Sequence, residues 1–292
     1  MFQRGLIDII GLALFWGPSF LFNKIALVDV DPITLVSLRV GLAGLLLWLF
    51  FRLRGVSFSI SHLSFKRACI LGFFNNGFPF VCFSCSLFYI PTSLSALLNG
   101  TVPVISIVLA RFFLQEPFTW NKVSGLFLGL LGFAILFVPS LLGSEQGFNV
   151  TGIALGLLGS LSYAIGMIYT RKRGLSIDAR VMIVYQLFTS LLYLVPLAFI
   201  FESPLKDVPA ASMATWSAIL AVAVLGTALA FLLYFRILAK QGVAAVAMVT
   251  YLLPIVGAVL GVLFLNESLH PLFMVAAGCI LAGVVLVNKK NA

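Results

Sequence analysis

The sequence predicts an all-α integral membrane protein of ten transmembrane helices, arranged as two inverted five-helix repeats. Three observations predict this fold: an apolar composition, a basic charge that alternates with the apolar segments, and a similarity between the two halves. Of the 292 residues, 62% are hydrophobic and only 9% are charged, and the mean hydropathy is +1.16. Soluble domains average about 25% charged residues, so the composition indicates a lipid bilayer as the solvent.

Ten apolar segments, separated by polar residues or by Pro and Gly, account for nearly the whole chain. A spanning helix needs about 20 mostly apolar residues, so ten of them leave no room for a soluble domain. The first segment follows Arg4 and runs through Ile25 without a small-residue cleavage pattern, which favours a permanent span over a signal peptide. The predicted spans cover residues 6–28, 34–53, 67–89, 93–114, 121–139, 150–171, 179–201, 213–236, 242–265 and 271–288.

The basic residues indicate the orientation, because cytoplasmic loops of membrane proteins are enriched in Lys and Arg. With a cytoplasmic N-terminus, the outer loops contain six acidic residues and Lys206 as their single basic residue. We therefore expect a multi-pass protein of the cell membrane, a bacterial inner membrane, with both termini cytoplasmic. The inner segments contain fifteen of the eighteen basic residues, namely Arg4, Arg52, Arg54, Lys66, Arg67, Arg111, Lys122, Arg171, Lys172, Arg173, Arg180, Arg236, Lys240, Lys289 and Lys290.

The two halves resemble each other. An ungapped offset of 151 residues places spans 3 and 4 on spans 8 and 9, with Pro103 on Pro254 and Glu116 on Glu267. An odd number of spans in each half turns the second half upside down, which predicts repeats at residues 1–145 and 146–292. Inverted repeats are typical of secondary transporters, whose sites lie near the midplane. At an offset of 147, Asp31 and Arg39 correspond to Asp178 and Gln186.

Several spaced residues carry a resemblance to a known family. They are Phe15-Trp16-Gly17-Pro18-Ser19-Phe20, Asn23, Lys24, Asp31-Pro32, Arg39, and the Leu-x-Glu endings at residues 114–116 and 265–267. Over its full length the chain resembles the EamA-type transporters of the drug/metabolite transporter superfamily. The resemblance implies a central cavity lined by helices 1, 3, 4, 6, 8 and 9, and efflux of metabolites or drugs by alternating access. Substrates of the family vary too widely for membership to name one.

Two cations fall inside predicted spans, where a charge costs about 2.5–3.5 kcal/mol on insertion scales. Lys24 and Arg39 are gate or anion-contact candidates. The alternative is that both side chains extend outward and pair with Asp29 or Asp31.

Polar residues beside helix-breaking residues suggest a wet cavity between the halves. The alternative for each is a hydrogen bond between helices. The cavity candidates are Asn23, Asn75, Asn76, Asn99, Thr227, Thr250 and Tyr251, with helix breaks at Pro103 and Pro254. Aromatic residues within the spans complete the candidate set, with ordinary packing as their alternative, and these are Trp16, Phe80, Tyr163 and Tyr234.

Other patterns indicate structure. Spaced glycines in span 5 (125, 129 and 132) and span 6 (152, 156 and 159) predict close helix contact. Glu116 and Glu267 lie at helix ends, where capping of backbone donors is favoured over ion coupling. Cys82 and Cys85 form a C-x-x-C without a second pair or a nearby His, which favours packing over metal or redox chemistry.

Three functions are compatible with this composition. The favoured one is a carrier of small organic metabolites. An intramembrane enzyme acting on a lipid or isoprenoid is the second, but only nine acids, mostly in loops, and two His are available for catalysis. A non-transporting partner or sensor subunit is the third. We predict no catalytic residue, metal site or cofactor, and no nucleic-acid binding, because no basic run exceeds three residues. The expected partners are a small metabolite and the bilayer, and a homodimer is left open.

Overall fold

The computed structural model describes residues 2–90, 92–117, 119–143, 149–265 and 272–288, and these residues form helices and no strand. The α-helices are α1 Phe2–Trp16, α2 Ser19–Ala26, α3 Pro32–Leu53, α4 His62–Leu71, α5 Phe78–Ser86, α6 Thr92–Asn99, α7 Val102–Leu114, α8 Trp120–Gly143, α9 Val150–Arg173, α10 Ala179–Phe201, α11 Pro204–Ala210, α12 Met213–Ala223, α13 Ala230–Gln241, α14 Val243–Leu265 and α15 Leu272–Asn288. Glu267 and the predicted loop residue Glu145 lie outside the described residues.

The molecule is an integral membrane protein. Six helical stretches in the described part are long and apolar enough to cross a bilayer, and shorter apolar helices cover Val102–Leu114, Val243–Leu253 and Val275–Val287. Large apolar side chains also cover the outside of the bundle, among them Phe127 (66% exposed) and Leu192 (63%). Water-soluble monomers rarely expose such extensive apolar surface. The six long stretches are Gly5–Ala26, Pro32–Leu53, His62–Ser86, Val150–Ser176, Ala179–Phe201 and Met213–Gln241.

Two predicted spans are interrupted, the first near its middle and the fourth about a third of the way along its sequence. The first is divided at Gly17-Pro18, where a Cβ at position 17 would lie 2.5 Å from Cγ1 of Val256. The fourth is divided at Gly100-Thr101, and Pro103 follows as the second residue of α7. Proline suits the first turn of a helix because the amides there have no partner within the helix. Pro103 therefore lies in the first turn of the helix that follows the break.

The predicted break at Pro254 is wrong, because α14 continues from Val243 to Leu265. A proline removes a single main-chain hydrogen bond, and the helix can continue when the neighbouring residues are helix formers. At the position corresponding to Gly100, which costs about 1 kcal/mol in a helix, the second half has Tyr251. Because the second half has no counterpart of Gly100, α14 continues through Pro254.

Two π-helical segments lie in equivalent places of the two halves. Gly72–Gly77 joins α4 to α5, and Val224–Leu229 joins α12 to α13. Each has six residues, and Asn75 and Thr227 are each the fourth. Single π turns within α-helices are frequent at functional sites. They widen the helix and redirect side chains, and here both occur where polar residues were predicted to line a cavity.

The helices pack mainly across the two halves of the chain. α3 lies against α10, α8 against α15, α5 against α9, and α1 against α13 and α14. The larger of the two buried apolar clusters includes Val36 and Val40 of α3 and Ile183 and Leu187 of α10, and the smaller one also joins the halves through Leu35 of α3 and Ile219 of α12. Neither half therefore forms a separate core, and the space between the halves lies at the centre of the bundle.

The spaced glycines allow these contacts, as the sequence predicted. A Cβ at Gly132 would lie 2.5 Å from the carbonyl oxygen of Ala276 in α15. At Gly156 it would lie 2.5 Å from Cδ1 of Leu98. A Cβ at Gly129 would collide with the ring of Tyr251, which places that tyrosine against α8. Small residues at these positions let helix backbones approach closely.

We call one end of the bundle the acidic end. It contains the carboxylates of Asp29 and Glu202, and Ser212, which donates to Asp29. Asp29 accepts hydrogen bonds from the Ser212 amide (2.9 Å) and the Thr215 hydroxyl (2.6 Å). The bond from Thr215, followed by those from Ser212, lowers the pKa of Asp29 to about 2. Asp29 is thus engaged by α12, and its expected pairing with Lys24 or Arg39 is not observed. The short helix α11, which the sequence did not predict, lies at this end.

The opposite end, the basic end, is formed by Arg67, Arg171 and Arg236. Arg67 donates to the Ser176 hydroxyl (3.0 Å), Arg171 to the carbonyl of Leu238 (3.1 Å), and Arg236 pairs with Asp8 (3.2 Å). These contacts join segments that the charge pattern assigned to one side. Near this end Glu116 pairs with Lys122 at 3.0 Å, so its contact is an ion pair where a helix cap was predicted.

Glu202 caps the first turn of α3, and its removal is expected to destabilise the protein. Its carboxylate accepts from the amides of Ile33 (2.8 Å) and Thr34 (2.7 Å) and from the Thr34 hydroxyl (2.7 Å). Losing a helix cap costs about 1–2 kcal/mol. We expect Glu202→Ala to lower the thermal midpoint in detergent, while Lys206→Ala, an exposed change in the same connection, leaves it unchanged. Equal midpoints for both variants would contradict this role.

Candidate substrate cavity

A small cavity lies at the centre of the bundle. Its lining comes from the six spans that the family resemblance implies, numbers 1, 3, 4, 6, 8 and 9, with Arg39 of α3 added. Its volume of about 50 Å³ holds about four water molecules. A metabolite therefore enters only if the helices or the lining side chains move. The lining residues are Trp16, Ser19, Phe20, Asn23, Arg39, Asn75, Phe80, Phe83, Asn99, Val102, Tyr163, Met167, Phe231, Tyr234, Thr250 and Leu253.

Arg39 provides the charge of this cavity, and it is only 3% exposed. Its Nε donates to the Thr227 hydroxyl (2.7 Å), and its Nη2 donates to the carbonyl of Gly226 (3.1 Å). The guanidinium carbon lies 3.7 Å from the centre of the Phe80 ring. The alternative of an outward-pointing side chain is wrong for Arg39, because the guanidinium points inward to the second π-helical segment.

Two groups of aromatic rings form much of the cavity wall. Trp16 and Tyr234 have ring centres 6.2 Å apart. In the other group, the ring of Tyr163 stacks on that of Phe83, with ring centres 5.8 Å apart, and meets the ring of Phe80 edge-on, with ring centres 6.0 Å apart. Such pairs give rigid, apolar surfaces, which suit the apolar part of a solute.

Amide side chains supply hydrogen-bond acceptors to the same space. The Oδ1 atoms of Asn23 and Asn99 are buried and have no hydrogen-bond partner. A buried unsatisfied polar group costs about 1–3 kcal/mol. Water or a solute that donates an N–H or O–H would remove that cost. Thr250 also lines the cavity, although its hydroxyl already donates to the carbonyl of Ala247 (2.9 Å).

Asn75 connects the cavity to a polar cluster nearer the basic end. Its Nδ2 donates to the Thr170 hydroxyl (2.9 Å) and to Oε1 of Gln186 (3.4 Å). The neighbouring Asn76 is fully buried, but its amide has no partner and it does not line the cavity. The hydrogen-bonding alternative therefore describes Asn75 in part, since this side chain both lines the cavity and joins two helices.

The remaining candidates lie outside the cavity lining. Lys24 donates to the carbonyl of Leu87 (3.0 Å) near the acidic end, so it joins two segments there. Thr227 contacts the cavity only through Arg39, Pro103 is buried at the start of α7, and Tyr251 packs against α8. The side chain of Pro254 lies outside the described residues.

The sequence missed the apolar part of the lining, and Gln186 as a partner of Asn75. Phe83, Met167 and Phe231 resemble the many other apolar residues of a bilayer-embedded helix, so no local signal distinguishes them. Gln186 had a signal, since the repeat places it opposite Arg39. Among the described residues no three His, Cys, Asp or Glu side chains lie together as a metal site, and Cys82 and Cys85 are free thiols.

Comparison with known proteins identifies this architecture. The model of a family described as the EamA-like transporter family matches residues 3–138 and again residues 150–289. A crystal structure of a protein superposes with a TM-score of 0.78 at 18% sequence identity, covering 97% of this chain and 96% of that one. The chain therefore shares the fold of that structure over nearly its full length.

Relatives that match most of this chain include proteins named as transporters. The Bacillus subtilis (strain 168) protein named Uncharacterized transporter YvbV is 27% identical over 289 residues, which are 96% of this chain and 90% of the relative. Protein PecM of Dickeya dadantii is 25% identical, covering 94% and 88%. A Streptantibioticus cattleyicolor protein named Probable terminal-alkyne amino-acid exporter is 25% identical over 207 residues, 70% of this chain and 66% of that protein.

Proposed function

Because the chain belongs to the EamA-like transporter family and is a membrane transporter, not an enzyme, we propose that it exports small organic metabolites by alternating access. The proposed solutes are amino-acid or drug-like molecules. The observation that carries the proposal is the small central cavity, which combines aromatic walls, free amide oxygens and one cation. The name of the amino-acid exporter relative supports the outward direction.

Eight of the predicted residues are proposed to contact the solute because they line this cavity. A cavity of about 50 Å³ is smaller than the roughly 300–1,000 Å³ of small-molecule sites. The described conformation is thus proposed to be an occluded one that opens to each side in turn. The proposed solute contacts are Trp16, Asn23, Asn75, Phe80, Asn99, Tyr163, Tyr234 and Thr250.

Ten spans in two inverted repeats, residues 1–145 and 146–292, are proposed as the architecture that moves. The two π-helical segments support this arrangement, as do the pairings of α5 with α9 and of α1 with α13, which correspond under the repeat. The basic residues of the connecting segments support cytoplasmic termini. A substrate site between inverted repeats is typical of secondary transporters.

Flux measurements on purified protein test the proposal. Liposomes containing the protein and loaded with a mixture of amino acids should lose one or a few of them faster than protein-free liposomes. Thr250→Trp, which places a bulky ring in a cavity of about 50 Å³, should lower this flux at least about ten-fold, because the ring occupies the space that a solute needs. Leu192→Trp on the exposed face of α10 is the matched control and should retain the flux.

Two results would contradict the proposal. One is folded protein that moves no member of a broad panel of amino acids and drug-like amines. The other is an equal flux in Thr250→Trp and wild type, which would place the pathway outside this cavity.

A further inference from the structure

The hydrogen bonds of Arg39 leave part of its guanidinium unused. An arginine side chain has five N–H donors, and the recorded bonds use one on Nε and one on Nη2. Both donate to acceptors in the same π-helical segment, the Thr227 hydroxyl and the Gly226 carbonyl, and the Phe80 ring covers one face of the guanidinium plane. The side chain lines the cavity, so its remaining donors are available to a group bound there.

Arg39 has no carboxylate partner among the residues that the structure describes. The ion pairs in that part of the chain are Lys122 with Glu116, Arg180 with Asp178, and Arg236 with Asp8, all remote from the cavity. The lining contains neither Asp nor Glu. Of the acids at the nearer end of the bundle, Asp29 and Glu202 accept hydrogen bonds from α12 and α3, and Asp31 is exposed just before α3.

An unneutralised charge in this position is costly. Charged side chains within membranes are rare and pair with one another or with backbone carbonyls. The Gly226 carbonyl gives Arg39 such a contact but no opposite charge, and burial of an ion without a counter-charge costs several kcal/mol. The contact with Phe80 stabilises the cation by about 0.5–2 kcal/mol but leaves its net charge in place. An oxyanion bound to the free donors would supply both the missing charge and a planar pair of acceptors.

We propose that Arg39 binds an anionic group of the transported solute, a carboxylate or a similar oxyanion. This inference rests on the proposed function, since it assigns the chemistry of one end of the solute. The oxyanion of the solute lies against the guanidinium, and the aromatic rings of the cavity wall lie beside the apolar part of the solute. Arg39 thereby selects anions or zwitterions over neutral solutes of the same shape. A purely structural Arg39 would hold α3 to the π-helical segment without any such selectivity.

Binding of two probes of equal shape and different charge tests this role. Benzoate and benzamide are titrated into detergent-solubilised full-length protein at constant ionic strength and pH 7, and the thermal midpoint is followed. We expect benzoate to raise the midpoint at concentrations at least about ten-fold lower than benzamide. In Arg39→Gln this preference should disappear, while Arg39→Lys should keep a weaker preference. Lys172→Gln, an exposed basic-end change, should behave as wild type.

The outcomes separate this inference from export itself. Equal responses to benzoate and benzamide in wild type, no response to either, or an unchanged preference in Arg39→Gln would each overturn the assignment. If Arg39→Gln does not fold, the wild-type comparison and Arg39→Lys decide. Liposomes that move no solute, made from protein that still prefers benzoate, would overturn export and leave the anion site standing.

Discussion

Gly283→Ala is expected to disrupt the packing of α15 on α8, with a loss of about 2–3 kcal/mol. A Cβ at this position would lie 2.6 Å from the carbonyl oxygen of Gly125 and 2.9 Å from the amide nitrogen of Gly129. Both are backbone atoms of α8, which no rotamer change can move aside. α8 and α15 must therefore move apart, which weakens the contact between the last helix of the first half and the last helix of the second half. The thermal midpoint and the monodispersity in detergent should both fall.

Gly278→Ala is the matched control in the same helix. A Cβ at Gly278 meets nothing within 4 Å, and alanine favours a helix over glycine by about 1 kcal/mol. The control should keep or raise the thermal midpoint, so the two alanine variants are expected to change stability in opposite directions. Similar losses in both variants would show that the α8 contact is not what requires glycine at position 283.

The sequence predicted close contact at Gly125 and Gly129 because their spacing is local, whereas their partner Gly283 and the partner of Arg39 depend on tertiary structure. Arg39 could be located within a span by counting from Asp31. Its partner Thr227 comes from the other half of the chain, 188 residues away. Neither apolar periodicity nor composition connects the two positions. The expected pairing with Asp29 or Asp31 used nearby residues, and the folded bundle engages Asp29 with α12 instead.

The prolines show a similar limit of local reasoning. Pro18 and Pro103 lie beside helix interruptions, while Pro254 lies within a continuous helix. The difference follows from the neighbours, since Gly17 and Gly100 precede the first two. The repeat alone predicted equal behaviour for Pro103 and Pro254. The sequence predicted kinks here, but the structure has a π-helical segment in each half, and Asn75 and Thr227 are each the fourth residue of their segment.

Two polar contacts occupy equivalent positions near opposite ends of the cavity. Arg39 is the eighth residue of α3, which begins at the acidic end, and it binds Thr227 of one π-helical segment. Gln186 is the eighth residue of α10, which begins at the basic end, and it binds Asn75 of the other. Counted from the start of each π-helical segment, each contact is the counterpart of the other, one residue away from the 151-residue offset, which pairs Asn75 with Gly226. We expect the first to hold the acidic end closed and the second to hold the basic end closed.

Thr227→Val and Asn75→Leu should therefore open the cavity to opposite sides. Valine retains the shape of Thr227 but cannot accept the 2.7 Å bond from Arg39. A hydrogen bond to a charged group contributes about 1.5–3 kcal/mol, so the acidic-end-open population should rise about 10- to 100-fold. Leucine at position 75 removes the bonds to Thr170 and Gln186, and the basic-end-open population should rise, by less because both lost bonds are between neutral groups.

Labelling of a cavity cysteine measures both populations. Ser19, which lines the cavity, is replaced by Cys in a protein whose four native cysteines are replaced by Ala, and an impermeant maleimide is applied from either side of the membrane. Thr227→Val should accelerate labelling from the acidic end and slow it from the basic end, since the populations compete. Asn75→Leu should do the reverse. Thr227→Ser keeps the hydroxyl that accepts from Arg39 and should label as the parent does. If both variants accelerate labelling from the same side, the two contacts are not counterparts, and only a general loosening of the bundle accounts for the result.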